Sequence, residues 1–392
     1  MGQRKGKVPA HIQPKTFIHP GEASSWVTIL NKVEDPRLPS CNTQHAVTTI
    51  LFIVFTTVLC GAKNWEEMYY LAEGEGFTSW LSSYVDLSSG IPSKWTLERV
   101  VSLIPTAQLQ PLFAQFADSL KKAGTIAIDG KTLRGTRGWE KDHPLHLLHA
   151  WSVEEGICLG QVPVDEKSNE ITAFPILISQ LEVKGTVITA DAIHTQKAST
   201  EIVSKKGADY AFPVKGNHPG LLEDIELLFA EADDVQFRGI DAAHTETLEK
   251  IGGRVEKRSY TLLSAEGLPE ISDWVNCHCV GRVIRERSKD EKQTKETSYY
   301  ITSLDFDVDQ FAKSARGHWG VENGLHWSLD VIFREDQHRY QQRVGAANLS
   351  LIRKIALTVL TRDTTVKRGR ATKQMKAMGS AAYRDHLLKN CF

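Results

Sequence analysis

Asp129 closes the β-rich run Thr125-Ile126-Ala127-Ile128, Asp191 closes Thr186-Val187-Ile188-Thr189-Ala190, and Glu322 lies inside His318-Trp319-Gly320-Val321-Glu322-Asn323. Two acids at strand ends and a third from a distant helical segment make a candidate pocket for divalent cations. Hard ions such as Mg2+ take carboxylate and water oxygens and leave positions for substrate phosphates. The trio therefore points to chemistry on phosphate esters. A lone Asp at a strand end is more often a cap or a solvated carboxylate. The three gain weight together, with Lys131, Arg134 and Arg137 following the first acid and His194 following the second.

The acids are far apart in the chain, 61 residues separating Asp129 from Asp191, so only tertiary folding can assemble them. On an α-helix, positions four apart advance by about 40°, which puts Glu322, His326 and Asp330 on one stripe with His318 at its edge. Gly317, Gly320 and Gly324 each cost roughly 1 kcal/mol against Ala in a helix interior. Their presence predicts either a close approach to the backbone or a locally broken helix. A zinc site from His318, Glu322 and His326 is disfavoured, because no His-Glu-x-x-His pattern occurs and the strand-end acids would have no task.

These residues need a frame to hold them. Residues 1–35 are polar and Pro-punctuated and read as an arm or linker. Residues 36–120 read as a helical module: the apolar run Ala46 to Cys60, a helix from Trp65, a break at Gly90-Ile91-Pro92, and a helix from Leu97 to Ile104 capped by Ser93 or Thr96. From Gly124 the period becomes strand-like, with strands expected at Thr125 to Ile128, His146 to Val153, Cys158 to Val164, Val187 to Ala190 and Tyr210 to Val214. Helices at Glu170 to Leu181 and Ala198 to Lys206 alternate with the last of these, which implies a mixed sheet with helices on its faces. Residues 121–216 are thus a first core segment, 217–297 an insertion with an acidic helix and β-strands, and 298–360 a second core segment. That second segment is read as a strand at Tyr299 to Ser303 and a long helical region from about Val308 carrying Glu322. Residues 361–392 read as a basic tail.

A hydrophobic fraction of 41% and nine tryptophans describe an ordinary globular protein with a large core. The net charge of -1 conceals local asymmetry: residues 222–249 carry nine acids against Arg238, whereas 361–392 carry eight Lys or Arg against two acids. Any nucleic-acid footprint must be local. The six cysteines are scattered and read as reduced thiols of a cytosolic protein. The 15-residue run from Ala46 to Cys60 contains four threonines and falls short of the ~20 residues that cross a bilayer. No membrane association and a cytoplasmic, nucleoid-associated location are expected.

Ile-Asp-Gly-Lys-Thr-Leu-Arg-Gly at 128–135, Ala-Asp-Ala-Ile-His-Thr-Gln at 190–196 and His-Trp-Gly-Val-Glu-Asn-Gly-Leu-His-Trp-Ser-Leu-Asp at 318–330 resemble the DDE transposases of bacterial insertion sequences, in particular the H-repeat-associated branch. Asp35-Pro36-Arg37, Gly61-Ala62-Lys63-Asn64-Trp65 and Ile91-Pro92-Ser93-Lys94-Trp95-Thr96 resemble the helical domain associated with that branch. The resemblance implies an α/β, ribonuclease-H-like mixed sheet flanked by helices, with an all-helical N-terminal domain and an insertion domain containing β-strands. It also implies Asp129, Asp191 and Glu322 as catalytic and metal-binding residues. The chain departs from the superfamily's Tyr-Arg-Glu-Lys signature, with Ala315, His318 and Leu329 at the Tyr, Arg and Lys positions. His194, His318, His326 and Asp330 are candidate auxiliary residues.

Two Mg2+ or Mn2+ ions ~3.5–4 Å apart can activate water on one side of a phosphodiester and stabilise the leaving oxygen on the other. With that chemistry, the resemblance implies cleavage of insertion-sequence ends and transfer of the freed 3'-hydroxyl into target DNA as the expected reaction. The resemblance implies double-stranded DNA, from element ends and target, as the partner, and a homodimer on paired ends. Lys131, Arg134, Arg137, Lys215, Trp319, Arg334, Arg339 and Arg343 are candidate DNA contacts, joined by Lys367, Arg368 and Arg370 of the tail. Two alternatives stay open at this level: a transposase-derived DNA-binding protein whose catalysis has lapsed, and a nuclease of the same fold that does not join strands.

Overall fold

Among the described residues, seven helices precede the first strand: α1 (Ser25–Leu30), α2 (Val47–Leu59), α3 (Trp65–Glu73), α4 (Glu75–Leu81), α5 (Lys94–Leu103), α6 (Thr106–Leu109) and α7 (Pro111–Ala114). Then come β1 (Thr125–Leu133), β2 (Leu145–Ser152), β3 (Ile157–Val164), α8 (Glu170–Ser179), β4 (Val187–Ala190), α9 (Lys197–Lys205), β5 (Asp209–Val214) and α10 (Pro219–Asp234). The chain continues through β6 (Ala242–Ile251), β7 (Arg254–Ser264), β8 (Cys279–Lys289), β9 (Lys292–Thr302), α11 (Val308–Gly317), α12 (Arg343–Arg362), α13 (Arg370–Gly379) and α14 (Ala381–Lys389). This computed structural model describes residues 25–38, 40, 42–114, 124–138, 144–164, 170–251, 253–289 and 292–389. Residues 1–24 of the expected arm, Cys41 and Cys391 lie outside them.

The strands form one nine-stranded sheet in the order β3-β2-β1-β4-β5-β9-β8-β7-β6. β1, β4 and β5 are mutually parallel, with Ile128 opposite Ala190 and Thr189 opposite Ala211. Parallel neighbours need long crossovers, and α8 and α9 lie in these. Beyond β5 the sheet turns antiparallel: β9 pairs with β5, and β8, β7 and β6 follow as a meander. The expected mixed sheet with flanking helices and a helical N-terminal region is therefore what the described residues show. The insertion read at 217–297 continues this same sheet. The charged stretch Arg285 to Glu296 lies in the paired arms β8 and β9, where Arg285 stands opposite Glu296.

The chain divides into two compact units, and the division differs from the sequence reading. One comprises the described parts of Met1–Asp118, Thr132–Leu145 and His326–Phe392, the other those of Ser119–Lys131 and His146–Leu325. In the first, helical unit, every residue of α2 is buried. Its threonines are tolerated there because Thr56 and Thr57 donate to the carbonyls of Phe52 and Ile53, each at 2.7 Å. Helix α1 lies within the stretch read as an arm, yet Trp26 is buried and stacks on Phe55 with ring centroids 4.2 Å apart. Helix α12 is long and apolar enough to cross a membrane, but it is buried almost throughout and packs on α2 and α5. Buried Asn348 donates to the carbonyls of Val101 and Ile104, satisfying the end of α5.

The segment read as a basic tail carries two helices, α13 and α14. Tyr383, Leu387 and Leu388 of α14 are buried. Arg384 lies 4.5 Å over the rings of Phe77 and Trp80, and Asp385 accepts from Trp80 Nε1 and the Tyr84 hydroxyl, both at 2.6 Å.

Candidate active site

Asp129 and Asp191 are neighbours by register. β1 and β4 run parallel with Ile128 opposite Ala190 as the last pair, so the next residue of each chain is an acid, on strands ~4.8 Å apart. β1 does not end at Asp129, as the sequence suggested, but continues to Leu133. What ends there is its pairing with β4. The site lies at the carboxyl ends of parallel strands, where open α/β sheets place their chemistry.

Glu322 arrives from α11. That helix is capped by Asp307, whose carboxylate accepts from Gln310 N at 3.0 Å, and its buried Phe311, Ala312 and Ala315 pack into a cluster with Val187 of β4 and Ala211 of β5. The long helix read from Val308 does not exist as one piece. α11 stops at Gly317, and two π-helical turns follow, Glu322–His326 and Ser328–Ile332. The glycines explain the break. A Cβ on Gly324 would come within 2.8 Å of Trp151 Cζ2, and one on Gly317 within 3.0 Å of a Val153 methyl. Both sequence expectations for these glycines, close approach and a broken helix, are met. Through this turn Glu322 brings a carboxylate oxygen within 4.8 Å of one from Asp129.

His318 is the residue that orders Asp191. Its Nε2 lies 3.4 Å from Asp191 Oδ1 and its Nδ1 lies 3.3 Å from Thr189 Oγ1. The hydrogen bond from His318 holds the Asp191 carboxyl below its usual value against the opposing cost of burial, with Lys215 adding a favourable charge. The ring at the position of the family signature's Arg thus touches a candidate metal ligand.

His194 is fully buried and does something the sequence did not reveal. Glu170 of α8 places one oxygen 3.0 Å from His194 Nε2 and the other 2.7 Å from His146 Nε2. His194 lies in the turn after Asp191, and a Cβ on Gly130, beside Asp129, would collide with both His146 and Glu170. The Glu170 carboxylate therefore braces the segments that follow both strand-end acids. No local motif announces Glu170, which reads as an ordinary first-turn acid of an apolar helix.

The remaining candidates distribute unevenly. Lys131, one of the candidate DNA contacts, is buried at 7% exposure. Lys215 and Trp319 are exposed in the sheet unit. Arg134, Arg137, Arg334, Arg339, Arg343, Lys367, Arg368 and Arg370 belong to the helical unit. Arg134 is 83% exposed on its side chain, with Asp336 3.7 Å from Nε. His326, buried, ends the π-helical turn that Glu322 opens, and Asp330 sits in the next.

A family model described as the transposase DDE domain matches residues 121–359, and one described as DDE_Tnp_1-associated matches 27–117. The chain belongs to the DDE transposase family. Among its relatives is YhhI of Escherichia coli (strain K12), whose name describes an H repeat-associated transposase, 35% identical over 85% of this chain and 90% of that protein. YncI of Escherichia coli O157:H7, also named as a transposase, is 34% identical over 89% of this chain and 90% of its own. YbfL of Escherichia coli (strain K12) matches at 35% over the same shares as YhhI. A solved piggyBac transposase synaptic complex with hairpin DNA covers 93% of this chain and 78% of its own at a TM-score of 0.42 and 10% identity, too slight a likeness to bear on the site. The two family matches of this DDE-family chain meet near residue 120, where its sequence changes from helical to strand-like.

Proposed function

We propose that this DDE-family chain is an active transposase that cuts DNA at the ends of an insertion sequence and joins the freed 3'-hydroxyl to target DNA, with Asp129, Asp191 and Glu322 as metal ligands. The observation that supports it is the approach of the Asp129 and Glu322 carboxylates to within 4.8 Å of each other, beside the end of the β1–β4 pairing that also carries Asp191. Carboxylate oxygens such as these suit Mg2+ or Mn2+ better than zinc. Two such ions, when bound, would polarise the scissile phosphate and generate the attacking oxygen. The chain's own part is to keep Asp191 ionised and the acids aimed. His318 holds Asp191 charged, Thr189 fixes the His318 ring, and Glu170 anchors the turns through His146 and His194. Lys215 and exposed arginines would carry duplex phosphates, and two copies would act on paired ends.

The test is a cutting-and-joining assay on the inverted repeats flanking the reading frame, in Mg2+ and in Mn2+. Asp129→Asn, Asp191→Asn and Glu322→Gln should each abolish both steps while leaving the melting temperature near that of the parent. Full activity in any one removes that residue from the site. End binding without nicking in either metal would favour the lapsed, DNA-binding reading, and cutting of generic DNA without joining would favour a simple nuclease.

A further inference from the structure

The helical unit contains a cleft of about 720 Å³ that no part of the carboxylate chemistry uses. Its lining includes Lys63, Arg334, Arg368 and Arg370 beside Trp327 and Met375, and no acid among the described residues. Among the described residues Arg334, Arg368 and Arg370 form no ion pair. Arg370 gives Nε to the Thr361 hydroxyl at 3.1 Å and a terminal nitrogen to the Ser328 hydroxyl at 3.0 Å, both uncharged partners. Lys63 donates to the carbonyl of Ile332 at 2.7 Å and to the Gln374 side-chain oxygen at 3.3 Å. Burial, only partly offset by Glu67, lowers the Lys63 ammonium to about 8, and Arg334 and Arg353 push the same way. Partly buried cations held by neutral oxygens are the arrangement an anion would complete.

Part of the apolar lining is left to solvent. Trp327 is 52% exposed and Met375 71%. An aromatic face and a thioether next to guanidinium groups match a nucleotide, whose phosphate takes the cations and whose base stacks on the ring. Size decides the form of the polymer. A cube of this volume is about 9 Å on a side, narrower than even the ~12 Å major groove of a duplex.

We propose that this cleft binds one or two nucleotides of an unpaired DNA strand, phosphate on Arg334, Arg368 and Arg370 and base on Trp327. The identity of the polymer as DNA rests on the function proposed above.

The experiment is fluorescence anisotropy of the full chain with a labelled oligothymidylate and with a blunt duplex hairpin, in buffer without divalent cations and over a range of salt. Trp327→Ala should weaken the oligothymidylate about five-fold to a hundred-fold, the loss of one stacked base, with little change for the hairpin and none in salt slope. Arg334→Gln with Arg368→Gln should weaken it ten-fold or more and reduce the salt slope by about 1.4, two contacts at ~0.7 each. All three side chains are exposed, so the variants should melt like the parent. Oligothymidylate binding that is absent in the parent, or unchanged in both variants, overturns the proposal. A loss confined to the arginine variant marks a bare anion site and overturns the strand assignment. Because binding is measured without metal, a failure of the carboxylate variants to stop DNA cutting would remove the catalytic reading and leave this result standing.

Discussion

At the scale of single residues, the informative substitution is His318, which occupies the place of an arginine in the family signature. A histidine that orients a metal-binding carboxylate typically accounts for ten- to hundred-fold in metal affinity or activity. His318→Ala should therefore lower cutting by that factor and raise the Mg2+ concentration for half-maximal rate, while His318→Gln, able to donate to Asp191, should recover part of it. A drop in rate at unchanged metal requirement would assign His318 to DNA contact instead. The histidine was visible in the sequence as a departure, but its partner was not. The pairing depends on α11 ending beside β4, and no spacing rule encodes that.

At the scale of elements, two features hold the acids in place and each can be probed. Gly324→Ala would drive a methyl into the Trp151 ring, which should destabilise the fold by about 1–3 kcal/mol and reduce cutting further, because Glu322 rides on the same π-helical turn. Thermal melts and turnover measured together separate the two losses. The Glu170 brace has a pH signature. Hydrogen bonds from His146 and then His194 outweigh burial and hold its carboxyl down to about 2. An acid depressed in the folded state stabilises above its unfolded value near 4.3 and loses that contribution as pH falls through its folded one. Glu170→Gln should cost ~1.5–3 kcal/mol at neutral pH, and its deficit against the parent should shrink between about pH 4.5 and 2. A pH-independent gap in urea midpoints would mean that the charge on Glu170 is not what stabilises.

At the scale of the whole molecule, the surprise is that the last thirty residues complete the helical unit. Removing residues 363–392 strips α13 and α14 from α12 and leaves Trp80 and Tyr84 without Asp385. Exposing the partners of Tyr383, Leu387 and Leu388 alone should cost at least ~5 kcal/mol. Urea unfolding of the truncated chain should show it, and an unchanged midpoint would mark the segment as dispensable. The same unit buries Arg353 and Glu335, 3.6 Å apart with side chains almost wholly inaccessible. Glu335→Ala should destabilise by about 3–5 kcal/mol, because it leaves a buried guanidinium without its counter-ion.

The sequence by itself determined the strand that ends before Asp191, the buried helix from Val47, the strands β2 and β3 and the alternation that makes a mixed sheet, because these follow from local periodicity. It also carried the family, through motifs long enough to be specific. The tertiary structure decided the rest. A helix with glycines at 317, 320 and 324 breaks because Trp151 and Val153 press against its backbone from another strand. A basic C-terminal stretch folds because aromatic and apolar partners some 300 residues earlier receive it. Glu170 gains its role only when chain crossovers bring it between two histidines. Each of these depends on contacts between residues remote in sequence, and their free energy is set by packing that no window of neighbouring residues contains.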